Sequence, residues 1–347
     1  MRQRSRQLIK LDDVARQAGV SSSTVSLYIR NPEKVLPRTG KKIQLAIDEL
    51  GYVPNKIASQ FTGGSSSSMA VIVPSISNIM FSTLIQQIEH IVSNAGFQLS
   101  IASHNHSLEK EEKQIRSILQ WSPAVIALAG SSHTEATLKM LRNSQVPVVQ
   151  MWQIAGDVFP AQVGTNHYQA GYEAAQYLLA SGCKKLAYFT TRFNEDIRAQ
   201  ERYQGFCHAL QEQDSTPVLV DIPHNDNIYR ASRELLMQVL IRERGLDGIF
   251  TSSDAIAMAL LMEANAQGIQ VPEQLSILGF GDFPSSAVLS PVSLSSVNLK
   301  APETAANTAQ MMIRMSRERD YHGEIIDVGF EIIPRGSTRL PLYMRKT

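Results

Sequence analysis

The 347-residue chain has only two cysteines, Cys183 and Cys207, and neither belongs to a CxxC pair. That argues against a disulfide framework and against a zinc site. No apolar run approaches the ~18 residues of a membrane-spanning helix, so no membrane partner is expected. The basic start, MRQRSRQLIK, runs straight into LDDVARQ without the apolar segment of a secretory signal, and we expect a cytoplasmic protein. Enzyme signatures are missing as well. There is no G-x-x-x-x-G-K-[ST] loop, no G-x-S-x-G elbow and no His/Cys metal spacing, so no catalysis, cofactor or metal is expected.

With 43% hydrophobic residues, the chain is long enough for a large core and too long for one compact domain. Its formal net charge of +1 hides an asymmetry. Residues 1 to 62 carry eleven Lys/Arg against five Asp/Glu, whereas the remainder carries 22 against 27. A basic end suits nucleic acid, an anionic membrane surface or plain solvation, and a motif must decide among them.

Leu11, Val14, Ala15 and Ala18 recur at helical spacing, and Gly19-Val20-Ser21 then interrupts the pattern with turn chemistry. Ser21 is a suitable N-cap for a second helix over 22–29, which Asn31-Pro32 stops. A third helix is predicted from Pro37 to Leu50, with Gly51 as its terminator. Beyond the linker Gly63-Gly64-Ser65-Ser66-Ser67-Ser68, short apolar runs such as Met69–Val73, Val125–Ala129 and Ser276–Phe280 alternate with amphipathic stretches such as 81–94 and 256–267. Alternation of this kind calls for parallel sheets covered on both faces. About ten units exceed one sheet, so two lobes are expected, with strand ends lining a shared cleft.

A first helix, a tight Gly turn and a second helix with outward side chains meet the needs of a helix-turn-helix that reads base edges. Ser22, Ser23, Ser26 and Arg30 fall on the outward face. The stretches Asp13-Val14-Ala15, Ala18-Gly19-Val20-Ser21, Thr24-Val25-Ser26 and Glu49-Leu50-Gly51-Tyr52-Val53-Pro54-Asn55 together resemble the headpiece signature of the LacI/GalR family of bacterial repressors. The resemblance covers nearly all of residues 8–62 and, more loosely, the rest.

It implies a homodimer on a pseudo-palindromic DNA operator. The fold expected is an all-α helix-turn-helix headpiece plus an α/β periplasmic-binding-protein-like core of two doubly wound parallel-sheet lobes. It places the headpiece at 1–54, a hinge and linker at 55–68, and the effector-binding and dimerisation core at 69–347. The N-lobe is expected at about 69–165 plus 292–322, and the C-lobe at about 166–291 plus 323–340.

The same resemblance makes Ser22 and Ser23 base readers and gives Ser21, Thr24, Ser26, Thr39 and Asn55 phosphate-contacting or positioning roles. Arg30 belongs to the outward face, and Lys34, with Arg38, Lys41 and Lys42, adds salt-dependent attraction. Leu27 stands where the family usually has Arg or His. It offers only apolar contact, for instance to a thymine methyl, unless it packs inward, against which its spacing from Val25 speaks. The hinge matches 56–62, with Ala58 at the close approach and Phe61 at a minor-groove wedge where Leu is usual. The bland alternative is a linker with one stray aromatic.

In the core, the resemblance marks Phe81, Arg202, Ser253, Asp254 and Asp282 as effector-binding, although Phe81 is equally a core candidate. Gly281 replaces a usual acid, which lessens repulsion of an anion, while the guanidinium fork of Arg202 suits an oxygen-rich ligand. Ser132-His133-Thr134 and Gly279-Phe280-Gly281-Asp282-Phe283 resemble the gluconate-responsive branch, which adds His133 to the effector set. Another sugar, a sugar acid or a nucleoside stays open. His104 and His106 read as a solvated loop pair. The competing classes are a sugar-binding transport protein, which a signal peptide would favour, and an α/β enzyme, which lacks a nucleophile and base.

Overall fold

The computed structural model describes residues 9–53, 66–154, 156, 158–223 and 227–344. The chain divides into two compact units, Met1–Ser66 and Ser67–Thr347. In the first, α1 (Leu11–Ala18), α2 (Ser22–Arg30) and α3 (Pro37–Leu50) pack around buried Val14, Ala15, Ala18, Val25, Ile43 and Ala46. Gly19 ends α1 with φ 67°, a left-handed conformation strained for most other residues, and so turns the chain into α2 within three residues. Ser21 Oγ accepts the Thr24 N–H at 3.2 Å and caps α2. Within α3, Gly40 is buried under the Tyr28 ring, and a Cβ there would stand 2.9 Å from Tyr28 Cε2. The absent side chain is what lets α2 and α3 approach.

The second unit holds two six-stranded sheets. Its first half runs β1 (Ser68–Val73), α4 (Ile79–Asn94), β2 (Gln98–Ser103), α5 (Leu108–Leu119), β3 (Ile126–Ala129), α6 (Glu135–Ser144), β4 (Val148–Gln153) and β5 (Ala161–Thr165). The chain then builds α7 (His167–Ala180), β6 (Leu186–Thr191), α8 (Ile197–Gln211), β7 (Val218–Ile222), α9 (Ile228–Arg242), β8 (Gly248–Thr251), α10 (Asp254–Ala266), β9 (Ser276–Phe280), α11 (Pro284–Val288) and β10 (Ser295–Asn298). It returns through α12 (Ala301–Arg317) and β11 (Ile325–Asp327) to β12 (Glu331–Ile333).

The sheet orders are β11-β5-β4-β3-β1-β2 and β12-β10-β9-β8-β6-β7. Every pairing is parallel except β10 with β12. Each sheet therefore contains the doubly wound order 2-1-3-4-5, whose ligand crevice lies beyond the strand ends where the order reverses, here at β1/β3 and β6/β8. The central strands are buried along their length, as two-sided coverage demands.

The exchange of chain between sheets departs from expectation. Residues 295–298, expected in the N-lobe, form β10 beside β9 in the second sheet, and 325–327, expected in the C-lobe, form β11 beside β5 in the first. Both short runs, SSVN and IID, are too brief to carry a period that assigns them to a sheet. The return through β11 is held by two hydrogen bonds: Thr165 Oγ1 donates to the Gly329 carbonyl at 2.9 Å, and Val328 N–H to the Gly164 carbonyl at 2.9 Å.

Helices α7 and α8 cross at two glycines. A Cβ on Gly171 would lie 1.9 Å from the Arg202 carbonyl oxygen, and one on Gly205 would lie 1.9 Å from that of Tyr168. The backbones touch, and this brings the first turn of α7 against the middle of α8.

Candidate functional site

On α2, residues 22, 26 and 30 follow one another at i, i+4 spacing, with 23 and 27 alongside, while Val25 is buried on the opposite side. Ser23 and Arg30 are exposed, and Ser22, Ser26 and Leu27 are half-buried. Leu27 is not among the side chains packed on the headpiece core, whereas Tyr28 and Ile29 are. Its outward placement thus agrees with the spacing. Arg30 Nε donates to the Ser26 carbonyl at 3.3 Å. Lys34, Arg38, Lys41 and Lys42 are exposed, and Thr39 is half-buried near the start of α3. Asn55, Ala58 and Phe61 lie outside the described residues.

The hydroxyls are not equivalent. Ser21 Oγ, occupied as the N-cap, also lies 2.7 Å from both Ser23 Oγ and Thr24 Oγ1. Ser22 Oγ donates instead to Asp12 Oδ1 at 2.5 Å, across the turn. Asp12 escaped the sequence reading because ten residues separate the pair.

A second candidate site lies between the two sheets, in a cleft of about 80 Å³ lined by the strand-end residues of both. From the first come Asn78 after β1, Met80 and Phe81 on α4, His106 after β2 and Trp152 on β4. From the second come Asp196 after β6, Arg198 and Arg202 on α8, Ser252 and Ser253 after β8, Phe280 at the end of β9 and Gly281 after it. A larger hollow of about 440 Å³ beside Met262 and Pro291 is lined by no charged side chain. Other larger hollows are lined by exposed charged side chains, so buried charge, that of Arg198 and Arg202, singles out the cleft.

Phe81 fills both roles open to it. It is 4% exposed within the core, and its ring still borders the cleft, 5.8 Å from Trp152 and 5.4 Å from the Arg198 guanidinium. Arg202 is held on three sides: over the Phe280 ring at 4.2 Å, 2.9 Å from His167 Nδ1, and 3.4 Å from the Tyr188 hydroxyl. His167 Nε2 faces the Trp152 carbonyl at 3.2 Å. With Nδ1 accepting from arginine, the ring is neutral and carries its proton on Nε2. Burial first, then Arg202 and Arg198, holds its pKa well below the ordinary histidine value. Trp152 itself has φ 77°, a conformation rare for a bulky residue, and its backbone presses where a Cβ on Gly164 would stand.

Arg198, which the sequence reading passed over, is 6% exposed. Its Nε binds Asp196 Oδ1 at 3.0 Å, while its Nη1 is buried without a hydrogen-bond partner among the described residues. A charged donor left in that state marks a place for an acceptor. Burial tends to raise the Asp196 pKa, but Arg198, Arg202 and His106 outweigh it and hold the carboxyl well below its usual range. Burial lowers His106 to about 4, against the pull of Asp196. The signal for Arg198 was its i, i+4 relation to Arg202, which puts both guanidinia on one face of α8.

Three expected effector residues are placed away from the cleft lining. Asp254 is fully buried, with Oδ2 accepting from the Phe283 N–H at 2.7 Å and from Ser286 Oγ at 2.5 Å. Its Oδ1 accepts from Ser296 Oγ at 2.5 Å, so the carboxylate ties the start of α10 to α11 and β10. Asp282 pairs with Arg335 at 2.7 Å and accepts from Asn298 at 3.0 Å. His133 Nδ1 lies 2.7 Å from Glu111 Oε1, and its ring packs edge-on against Phe159. The solvated reading of the other histidines also fails: His104 is 5% exposed, 3.7 Å from Glu111, and His106 borders the cleft. Ser253 borders it too, just before α10. At Gly281, φ is 124°, and a Cβ would stand 3.0 Å from the Phe283 ring and 3.2 Å from Met80 Sδ. The backbone thus disfavours the acid that the family usually places there.

Comparison with known proteins follows the same division. Residues 10–55 match the model for bacterial regulatory proteins of the lacI family, and 175–338 match a periplasmic binding protein-like domain. The HTH-type transcriptional regulator IdnR of Escherichia coli is 30% identical over 93% of this chain and 97% of its own length. The HTH-type transcriptional regulator GntR of Pseudomonas aeruginosa is 32% identical over 94% and 95%. A solved LacI-family transcriptional regulator from Silicibacter pomeroyi superposes with a TM-score of 0.86 at 30% identity, covering 96% of this chain and 99% of that one.

Proposed function

Because this chain belongs to the lacI family of bacterial regulatory proteins, we propose that it represses transcription as a cytoplasmic homodimer on a pseudo-palindromic operator, under the control of a small sugar acid such as gluconate held in the cleft. The α2 face carries the DNA reading, with Ser22, Ser23, Ser26 and Leu27 toward base edges and the exposed lysines and arginines toward phosphates. Asn55, Ala58 and Phe61 complete this reading as hinge contacts to the operator.

The observation that carries the ligand class is the unpaired Arg198 Nη1. It stands in a cleft whose one lining carboxylate, Asp196, is already neutralised. A carboxylate gives Arg198 its missing acceptor, and the hydroxyls of a polyol chain suit Ser252, Ser253 and Asn78. Because Phe81 and Trp152 come from one sheet and Arg198 and Arg202 from the other, a bound acid stabilises one relative disposition of the lobes over another.

The test is calorimetry of gluconate binding to the full-length protein, alone and saturated with a selected operator duplex. Gluconate is expected to change operator affinity, and the operator to change gluconate affinity by the same factor. Equal affinity in both titrations removes the control by ligand. Failure to bind gluconate, with binding of a neutral sugar, removes the acid.

A further inference from the structure

We infer that Asp12 sets which bases the recognition helix accepts, by holding the Ser22 hydroxyl as an acceptor-only group. This rests on the docking of α2 in the major groove proposed above. An acid at this place calls for an explanation, since phosphates repel it and weaken binding. The needs of the α1 start do not supply one. Asp13 already serves there, its Oδ2 accepting the Lys10 N–H at 2.9 Å and its Oδ1 lying 3.3 Å from Arg16. Among the described residues, no cation lies within ion-pair distance of Asp12, and the bond recorded for its side chain is the one to Ser22 Oγ at 2.5 Å.

A serine hydroxyl has one proton and two lone pairs, and when free it rotates to suit either a donor or an acceptor. With its proton committed to a carboxylate, in the short geometry of a charge-assisted bond, Ser22 has only lone pairs left for a base. In the major groove, adenine N6 and cytosine N4 are donors, whereas guanine and thymine present acceptors alone. Asp12 and Ser22 together therefore favour an amino-bearing base and reject a keto-bearing one. Ser23 lacks this bias, because its bond to Ser21 Oγ at 2.7 Å leaves either oxygen free to be the donor.

The experiment is binding-site selection from a randomised operator with the full-length protein, followed by competition titrations. The wild type is expected to choose A or C over G or T at one position of each half-site. Asp12→Ala is expected to reduce that ratio about fivefold, the worth of a single neutral hydrogen bond, leaving the other positions unchanged. Ser22→Ala should do the same, and the double variant no more. Asp12→Asn, which still offers Ser22 a carbonyl acceptor, should retain the ratio, whereas Asp12→Leu, of similar shape but without an acceptor, should lose it; a retained ratio in Asp12→Leu overturns the role of the hydrogen bond. Asp12→Ala with wild-type discrimination everywhere, while Ser22→Ala loses it, overturns the role of Asp12. Unchanged selection by both overturns it together with the assignment of Ser22 as a reader.

Discussion

The reading face of α2 and the interlobe cleft solve recognition with opposite materials. The first presents small hydroxyls and one leucine from a single nine-residue helix. The second gathers the buried guanidinia of Arg198 and Arg202, half-buried Asp196 and the neutral His167 ring from positions spread between 167 and 202, plus rings from more distant strands. The difference follows from the partner. DNA brings its own charge and rigid base edges, so the protein needs only a positioned row of side chains. A small acid must be taken out of water, so its site has to supply charge that is already held in place.

The largest expected effect breaks the constraint behind the cleft. Gly205→Ala would drive a Cβ into the Tyr168 carbonyl and part α7 from α8. We expect it to lower stability by ~3 kcal/mol, as overpacking does, seen as a drop of several degrees in the calorimetric Tm. An unchanged melt would mean that the cleft is no more constrained than the exposed helix.

Arg198→Met sharpens the contrast by removing charge while keeping bulk. Loss of a charge-assisted bond to a carboxylate is worth ~2 kcal/mol, so affinity for the acid should fall about thirtyfold by calorimetry. Operator affinity without ligand should stay within about twofold. If both fall together, the two regions are not separate sites.

Acid tests the cleft through its histidines. His106, lowered to about 4, and His167, also lowered by burial, are neutral when folded and take a proton near pH 6.5 when unfolded. Their contribution is complete above pH ~6.5 and is lost as pH falls from there through the folded value. For His106 the loss is ~1 kcal/mol between pH 7 and 5.5. Urea unfolding should show this slope, and His106→Gln should reduce it. A flat profile would place His106 in open solvent.

The smallest effect belongs to the headpiece. Ser21→Ala removes the α2 cap and should cost ~1 kcal/mol of local stability. It should weaken operator binding with little effect on ligand affinity, as read by fluorescence anisotropy and calorimetry.

The headpiece was legible because its signal is local. Gly19, Ser21, Val25 and Gly51 perform the turn, cap, core and stop roles expected from their spacing. The strand Ser276–Phe280 also stands where its apolar run begins and ends. The cleft was legible only in part. Resemblance brought forward Phe81, Arg202 and Ser253, which border it, and Asp254, Asp282 and His133, which are bonded elsewhere. It missed Arg198, Asp196 and His106.

The sequence by itself determined the helix-turn-helix, the two-lobed α/β class and the absence of an acid at Gly281, because these depend on periodicity, turn chemistry and residue identity along short stretches. Only the tertiary structure decided which lobe receives β10 and β11 and which charged groups are free for a ligand. The reason is competition for partners: Asp254 is consumed by two serines and a backbone N–H, whereas Arg198 keeps one buried nitrogen unpaired. That outcome depends on segments far apart in the chain, and no local pattern encodes it.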